Sequence, residues 1–217
     1  MKSILFFILV TSVAPVSIIS CNNRSTGTQE KMPDSTITTF NESSDTQHSD
    51  TLSSFPTAPS CDSLFEAALS GMKNEVIEII DKGTDVNTKD EDGRTVLMYA
   101  SFNGHSELIN NLVLRGAKVN LQDINGRTAL MLASSGPFPD AVKILLDHGA
   151  DPNIIDKAEH YSALMYAASE GQLEVVKILL KYNADPYLKD IDGDDALTFA
   201  KNNGHRNVAE LLSVYPR

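Results

Sequence analysis

The sequence has no tryptophan, two cysteines in 217 residues and only 6% aromatic residues. Two cysteines close one disulfide at most, so a disulfide framework is excluded and packing must hold the fold. Basic residues are scarce as well: 18 Lys+Arg stand against 29 Asp+Glu, a formal net charge of −11. That balance excludes the basic footprint that nucleic-acid phosphates require. It also excludes electrostatic docking on anionic lipid. A partner for such a chain is neutral or basic. There is no glycine-rich phosphate loop, because the glycines recur at wide, regular spacing.

The first residues follow a different rule. Met1 and Lys2 give a short positive start, and an apolar run follows from Ile4 to Ile19, interrupted by Thr11, Ser12, Pro15 and Ser17. A membrane-spanning helix needs about 20 mostly apolar residues. This run is shorter and contains a proline, so it reads as an export signal over residues 1–20. It ends in Ile18-Ile19-Ser20-Cys21, which resembles a bacterial lipobox, with Ile18 where Leu is favoured. The resemblance implies that Cys21 is acylated and becomes the mature N-terminus. Several acyl chains anchor firmly, since each buried methylene contributes ~0.8 kcal/mol. The alternative is an ordinary signal peptide in which Cys21 is incidental.

Residues 21–60 are rich in Ser, Thr, Asn, Asp, Gln and Pro, with few apolar residues and no period. Such a composition cannot bury enough surface to offset chain entropy, so a disordered tether is expected. Its end-to-end span would be ~35 Å. Two glycosylation sequons, at Asn23 and Asn41, fall within it.

From Asp62 onward the chain repeats itself. Thr95-Val96-Leu97-Met98-Tyr99-Ala100 aligns with 128–133, 162–167 and 195–200, and the alanines at 100, 133, 167 and 200 are 33, 34 and 33 residues apart. One step back reaches Ala67. The pattern predicts five helix–turn–helix units, at about 61–89, 90–122, 123–155, 156–189 and 190–217. Asp62, Thr95, Thr128, Ser162 and Asp195 stand five residues before each alanine and are suited to cap the first helices. Gly71, Gly104, Gly171 and Gly204 end those helices. The second helices carry one apolar stripe (Val76, Ile79, Ile80 and their counterparts) and end at Gly83, Gly116, Gly149 and Asn183. Asp-Gly and Asn-Gly pairs in 90–93, 123–126 and 190–193 predict turns between units.

These units resemble ankyrin repeats, through the 33-residue period and a pattern close to D-x-x-G-x-T-P-L-H-x-A-A…G-A-D-V-N, here over residues 62 to about 214. The resemblance implies an all-α ankyrin-repeat solenoid with β-hairpin fingers, preceded by the tether. The departures are local. Thr-Pro-Leu-His becomes Thr-Val-Leu-Met, Thr-Ala-Leu-Met or Ser-Ala-Leu-Met, which weakens helix entry and its hydrogen bonding. The turn at 134–139 is altered, and 156–161 holds one extra residue. Ser213 replaces an apolar residue of the second helices, either as a polar closing of the stack or as a frayed end.

Catalysis needs a nucleophile or metal with converging partners. His48 lies in the tether. His105 and His205 share one slot after a glycine and His148 precedes a helix cap, so all three read as structural. No His or Cys has metal-ligand spacing. Cys61 is alone once Cys21 is modified and reads as a leftover thiol or an intermolecular pair. Asp90-Glu91-Asp92 lacks the Glu at position twelve of a calcium loop, where Ser101 stands.

What remains is a surface. In resembling proteins the concave side, made of fingertips and first helices, binds partners. By position the fingertip residues are Glu91, Asp92, Arg94, Ile124, Asn125, Arg127, His160, Tyr161, Ile191, Asp192 and Asp194. The helix residues are Phe102, Asn103, Ser135, Ser169, Glu170, Asn202 and Asn203. Phe102, Ile124, Tyr161 and Ile191 are apolar where solvent is expected, the pattern of interface anchors. The competing account has Ile124 and Ile191 packing one finger on the next.

These readings describe a lipid-anchored protein of the bacterial envelope, on its periplasmic or cell-surface side. It binds a protein partner as a scaffold, protective or immunity-type factor. It is no enzyme, and it needs no cofactor, metal, nucleic acid or small-molecule substrate. The alternatives are a structural surface lipoprotein without a partner and an enzyme built around Glu159 and His160.

Overall fold

The computed structural model describes residues 61–215. The signal segment 1–20, Cys21, the tether with His48 and the sequons, and the side chains of Cys61 and Asp62 lie outside the described residues.

Among the described residues ten helices run in five pairs: α1 (Cys61–Leu69) with α2 (Lys73–Asp81), α3 (Val96–Phe102) with α4 (Ser106–Leu114), and α5 (Ala129–Ser134) with α6 (Pro139–Asp147). The last two pairs are α7 (Ala163–Ser169) with α8 (Leu173–Lys181), and α9 (Ala196–Asn202) with α10 (Arg206–Ser213). Each helix has six to nine residues, well short of the ~12–15 an isolated helix needs in water. Stability therefore comes from stacking. The first helices form one row, α1–α3–α5–α7–α9, and the second helices another, α2–α4–α6–α8–α10. A single apolar core runs between the rows. Leu97, Leu130 and Leu164 of the first helices and Leu112, Leu145 and Leu179 of the second are completely buried.

The caps explain why the first helices start where they do. Thr95, Thr128, Ser162 and Asp195 have extended backbones, and their side-chain oxygens accept the amides of Met98, Met131, Met165 and Thr198. Where the repeat pattern has His at the third helical position, the second, third and fourth pairs have Met. The thioether sulfurs of Met98, Met131 and Met165 lie 3.4 Å from the amides of Thr95, Thr128 and Ser162. The contact that the missing His would leave open is thus restored by sulfur. The expected cap Asp62 is corrected: α1 begins at Cys61, so Asp62 lies inside the helix.

The inter-helix turn has one rule with one variation. Gly71, Gly104, Gly171 and Gly204 take positive φ values of 67–79°. His105 and His205 rest against Gly71 and Gly171, and their Nε2 atoms lie 2.9 Å from the carbonyls of Leu69 and Ser169. In the third pair the slot holds Phe138. Its ring lies against both Gly104 and Gly136. Pro137 stands where the other turns have their left-handed glycine and has no positive φ, so the altered turn at 134–139 accommodates a ring that packs without hydrogen bonding.

The expected β-hairpin fingers are not confirmed as strands. Among the described residues there is no strand, only isolated bridges between Lys89 and Thr95 and between Ile155 and Ser162. The fingers are too short for a ladder, and a side chain shapes each tip instead. Asp90, Asp123, Asp156 and Asp190 accept backbone amides of their own turns at 2.7–3.0 Å. A second set of polar links joins neighbouring pairs. Asn87, Asn120 and Asn153 each accept an amide from the next unit, that of Lys118, Asp151 or Asp185, and each donates to the carbonyl of Gly116, Gly149 or Asn183.

Candidate protein-interaction surface

The fingertips form a continuous row. Backbone bonds tie each tip to the next: Ile124 N–H to the Asp92 carbonyl (3.0 Å), Lys157 N–H to Asn125 (2.8 Å) and Ile191 N–H to Glu159 (3.2 Å). The Ile124 side chain lies against Gly93. That contact is partial, because Ile124 remains 59% exposed and Ile191 55%. Two branched apolar side chains therefore stand in water on a row whose backbone is pinned.

Beneath the tips, the finger carboxylates are neutralised in different ways. Asp90 accepts from the Tyr99 hydroxyl at 2.6 Å, and the Arg94 guanidinium sits over the Tyr99 ring, 5.9 Å from its centroid, while pairing with Asp92 at 3.5 Å. Burial, then the bond to Asp90, raises the Tyr99 hydroxyl pKa. Asp123 is fully buried and takes Arg127 through Nη2 at 2.8 Å and Nε at 2.9 Å. Arg127 is itself only 13% exposed at its side chain. Asp156 accepts from Tyr166 at 3.0 Å. Tyr161 packs edge-on against Tyr166 and Phe199, with centroids 5.7 and 5.1 Å apart. Burial, then the field of Glu159, Asp190, Asp156 and Asp192, pushes its hydroxyl up to about 12.

The structure thus sorts the candidate residues. Glu91, Asp92, Ile124, Asn125, His160, Ile191 and Asp192 are exposed on the tips, and Glu170 and Asn202 on the first-helix row. Arg94 and Asp194 are half-buried, while Arg127 is committed to Asp123. Asn103 and Asn203 are exposed but bridge to the preceding pair, through the carbonyls of Leu69 and Ser169. Ser135 bonds the Leu132 carbonyl, and Ser169 accepts from Asn203. Phe102 and Tyr161 pack against the core, so the free apolar positions on this side are Ile124 and Ile191. The signal that could have separated them is positional: both isoleucines follow a finger Asp directly, at the outermost point of the turn.

For catalysis the geometry offers little. Glu159 and His160 are exposed, and neither side chain bonds another described residue. His160 holds φ +60°, the left-handed conformation that a glycine takes in the other fingers. Among the described residues no cluster of His, Cys, Asp or Glu could hold a metal ion. A depression lined by Lys73, Ile77, Glu78, Asp81 and Asn111 lies on the second-helix row, away from the tips, with Lys82 at its edge bonded to Glu78 at 2.6 Å. No helix among the described residues is long and apolar enough to cross a membrane.

Stacked short helix pairs, joined side by side through Asn side chains and fingertip amides, define a solenoid repeat protein. Such a protein offers an extended surface rather than a pocket. A family model described as ankyrin repeats (3 copies) matches residues 64–156, 98–190 and 138–215, and the chain belongs to that family. Ankyrin repeats generally mediate protein–protein interaction and are typically non-catalytic. No curated protein matches the sequence.

Proposed function

We propose that this protein is an exported ankyrin-repeat protein, anchored by lipid at Cys21 on the outer side of a bacterial membrane, that binds a partner protein through its fingertip and first-helix side. The observation that carries the binding reading is the pair Ile124 and Ile191. They are more than half exposed on a row whose backbone is held by inter-finger bonds. Rigid, solvated apolar side chains ringed by polar groups suit an interface, because little order must be bought on association. The acidic fingertips around them favour a basic partner surface. Export and anchoring rest on the ordered start of the sequence: positive residues, an apolar run, then Ile18-Ile19-Ser20-Cys21.

Two experiments test the reading. A photo-crosslinking residue at position 124 or 191, in cells of the source organism, should give one dominant adduct. Ile124→Asp/Ile191→Asp should remove an adduct formed from a crosslinker at Glu91. An unchanged adduct in the double variant refutes binding by this side. For the anchor, Cys21→Ala should move the protein from the detergent phase to the aqueous phase. Unaltered partitioning refutes acylation of Cys21.

A further inference from the structure

The residue directly after each turn aspartate stands at the outer end of its finger. Along the four fingers it is Glu91, Ile124, Lys157 and Ile191. All four are exposed, the two isoleucines by more than half. Three of them are pinned to the preceding tip: the amides of Ile124, Lys157 and Ile191 donate to the carbonyls of Asp92, Asn125 and Glu159 at 3.0, 2.8 and 3.2 Å. The row therefore reads acid, apolar, base, apolar, one residue per unit, on a fixed backbone.

Packed helices stand about 8–10 Å apart. Neighbouring tips are thus separated by about 10 Å and the two isoleucines by about 20 Å. One side chain cannot cover both, and the charged tip of Lys157 lies between them. The row calls for an elongated element with apolar groups at the same interval. An extended segment docks by adding to a sheet edge, but the described residues contain no strand to add to. The amides at 124, 157 and 191 are also already spent on neighbouring tips. An α-helix brings its own backbone bonds. It rises about 10.5 Å in seven residues, and residues seven apart lie on one side of it. One heptad therefore matches one finger.

From this match we infer that the partner protein lays an amphipathic α-helix across the four fingertips, one heptad per finger. Two apolar residues about fourteen positions apart cover Ile124 and Ile191. An acidic residue midway between them meets Lys157, and a basic residue one heptad further along meets Glu91. The charges fix the register. Sliding the helix by one finger would set an apolar residue on Lys157 and charged residues on the isoleucines. This rests on the fingertip side being the binding surface, and it names what that surface reads.

The test places a photo-crosslinking residue in the full chain at 91, 124, 157 or 191, one position at a time, in cells of the source organism. Mass spectrometry then identifies which partner residue each position captures. The captured residues should lie in one segment and advance by about seven per finger, so that those from 124 and 191 are about fourteen apart. A separation of about six, the ~20 Å reach of an extended chain, or capture of unrelated segments overturns the inference. Lys157→Glu should lower the yield of the adduct from position 191 severalfold, and Lys157→Gln should lower it less. A yield unchanged in Lys157→Glu also overturns it. If the spacing is wrong but Ile124→Asp/Ile191→Asp still removes the adduct from position 91, the helix alone is at fault. If that adduct persists in the double variant, the binding side itself is at fault.

Discussion

The third and fifth helix pairs are built to one plan and differ where they meet their surroundings. In the third, Arg127 covers Asp123, Phe138 fills the glycine-lined turn and Ser134 is completely buried. In the fifth, Asp194 replaces the arginine and His205 replaces the phenylalanine. Lys201 stands exposed in the slot that buries Ala68, Ser101, Ser134 and Ala168. Ser213 is exposed where Ile80, Val113, Leu146 and Leu180 are buried or half-buried, and α10 continues to Ser213. The polar residue thus ends an ordered helix, which supports the reading of it as part of a wet outer side. Positions that hold a helix pair together are kept, while positions that look outward are free to change. The interior specifies the fold, and the differences between units specify what each surface can hold.

The sharpest way to break this comparison is to cut the same core position in both pairs. Leu145 and Leu212 occupy equivalent places and both are buried. Leu145 lies on α6, which touches both α4 and α8, whereas α10 touches α8 and its own partner α9. Leu145→Ala should cost about 3–5 kcal/mol, and Leu212→Ala about 2, because a cavity bounded on one side can collapse or fill with water. Urea titrations followed by circular dichroism would show it. Equal losses would mean that the fifth pair is as enclosed as the third.

The inter-helix glycines give the next effect. Gly104 and Gly204 have similar positive φ, 67° and 79°. A Cβ at Gly104 would stand 2.2 Å from the Phe138 ring, while at Gly204 it would meet nothing within 4 Å. Gly204→Ala should cost about 1 kcal/mol, the left-handed penalty alone. Gly104→Ala adds an overpacking cost of about 1–3 kcal/mol. Should the two lower the urea midpoint equally, the Phe138 contact contributes no constraint.

Much of this was legible in the sequence. The period, the four caps from Thr95 onward, the apolar stripe and the left-handed helix ends all follow from residue chemistry acting within a few positions. What was not legible depended on contacts across units. The loss of His from the repeat pattern suggested a weakened helix start, yet methionine sulfur at the same position reaches the cap amide. Phe102 and Tyr161 looked like exposed anchors, because linear spacing shows which side a residue is on but not how far the core covers it; both are half-buried against it, Tyr161 between the rings of Tyr166 and Phe199. Arg127 looked available until Asp123 proved to be buried beneath it.

The smallest effect concerns a flaw in the central pairs. Ser101 and Ser134 are equivalent residues near the ends of α3 and α5. Both are completely buried, and neither hydroxyl has a hydrogen-bond partner among the described residues. Ala68 and Ala168 fill the same slot in the first and fourth pairs, so the slot accepts a methyl group without rearrangement. Leaving a buried hydroxyl unpaired costs about 1 kcal/mol or more, and removing it recovers that cost with little change of volume. Ser134→Ala should therefore stabilise the protein by about 1 kcal/mol, raising the melting temperature by about 2–4 °C. Ala168→Ser should lower it by a similar amount. If Ser134→Ala is destabilising, the hydroxyl is satisfied by a bound water, and the slot in the central pairs is polar by design.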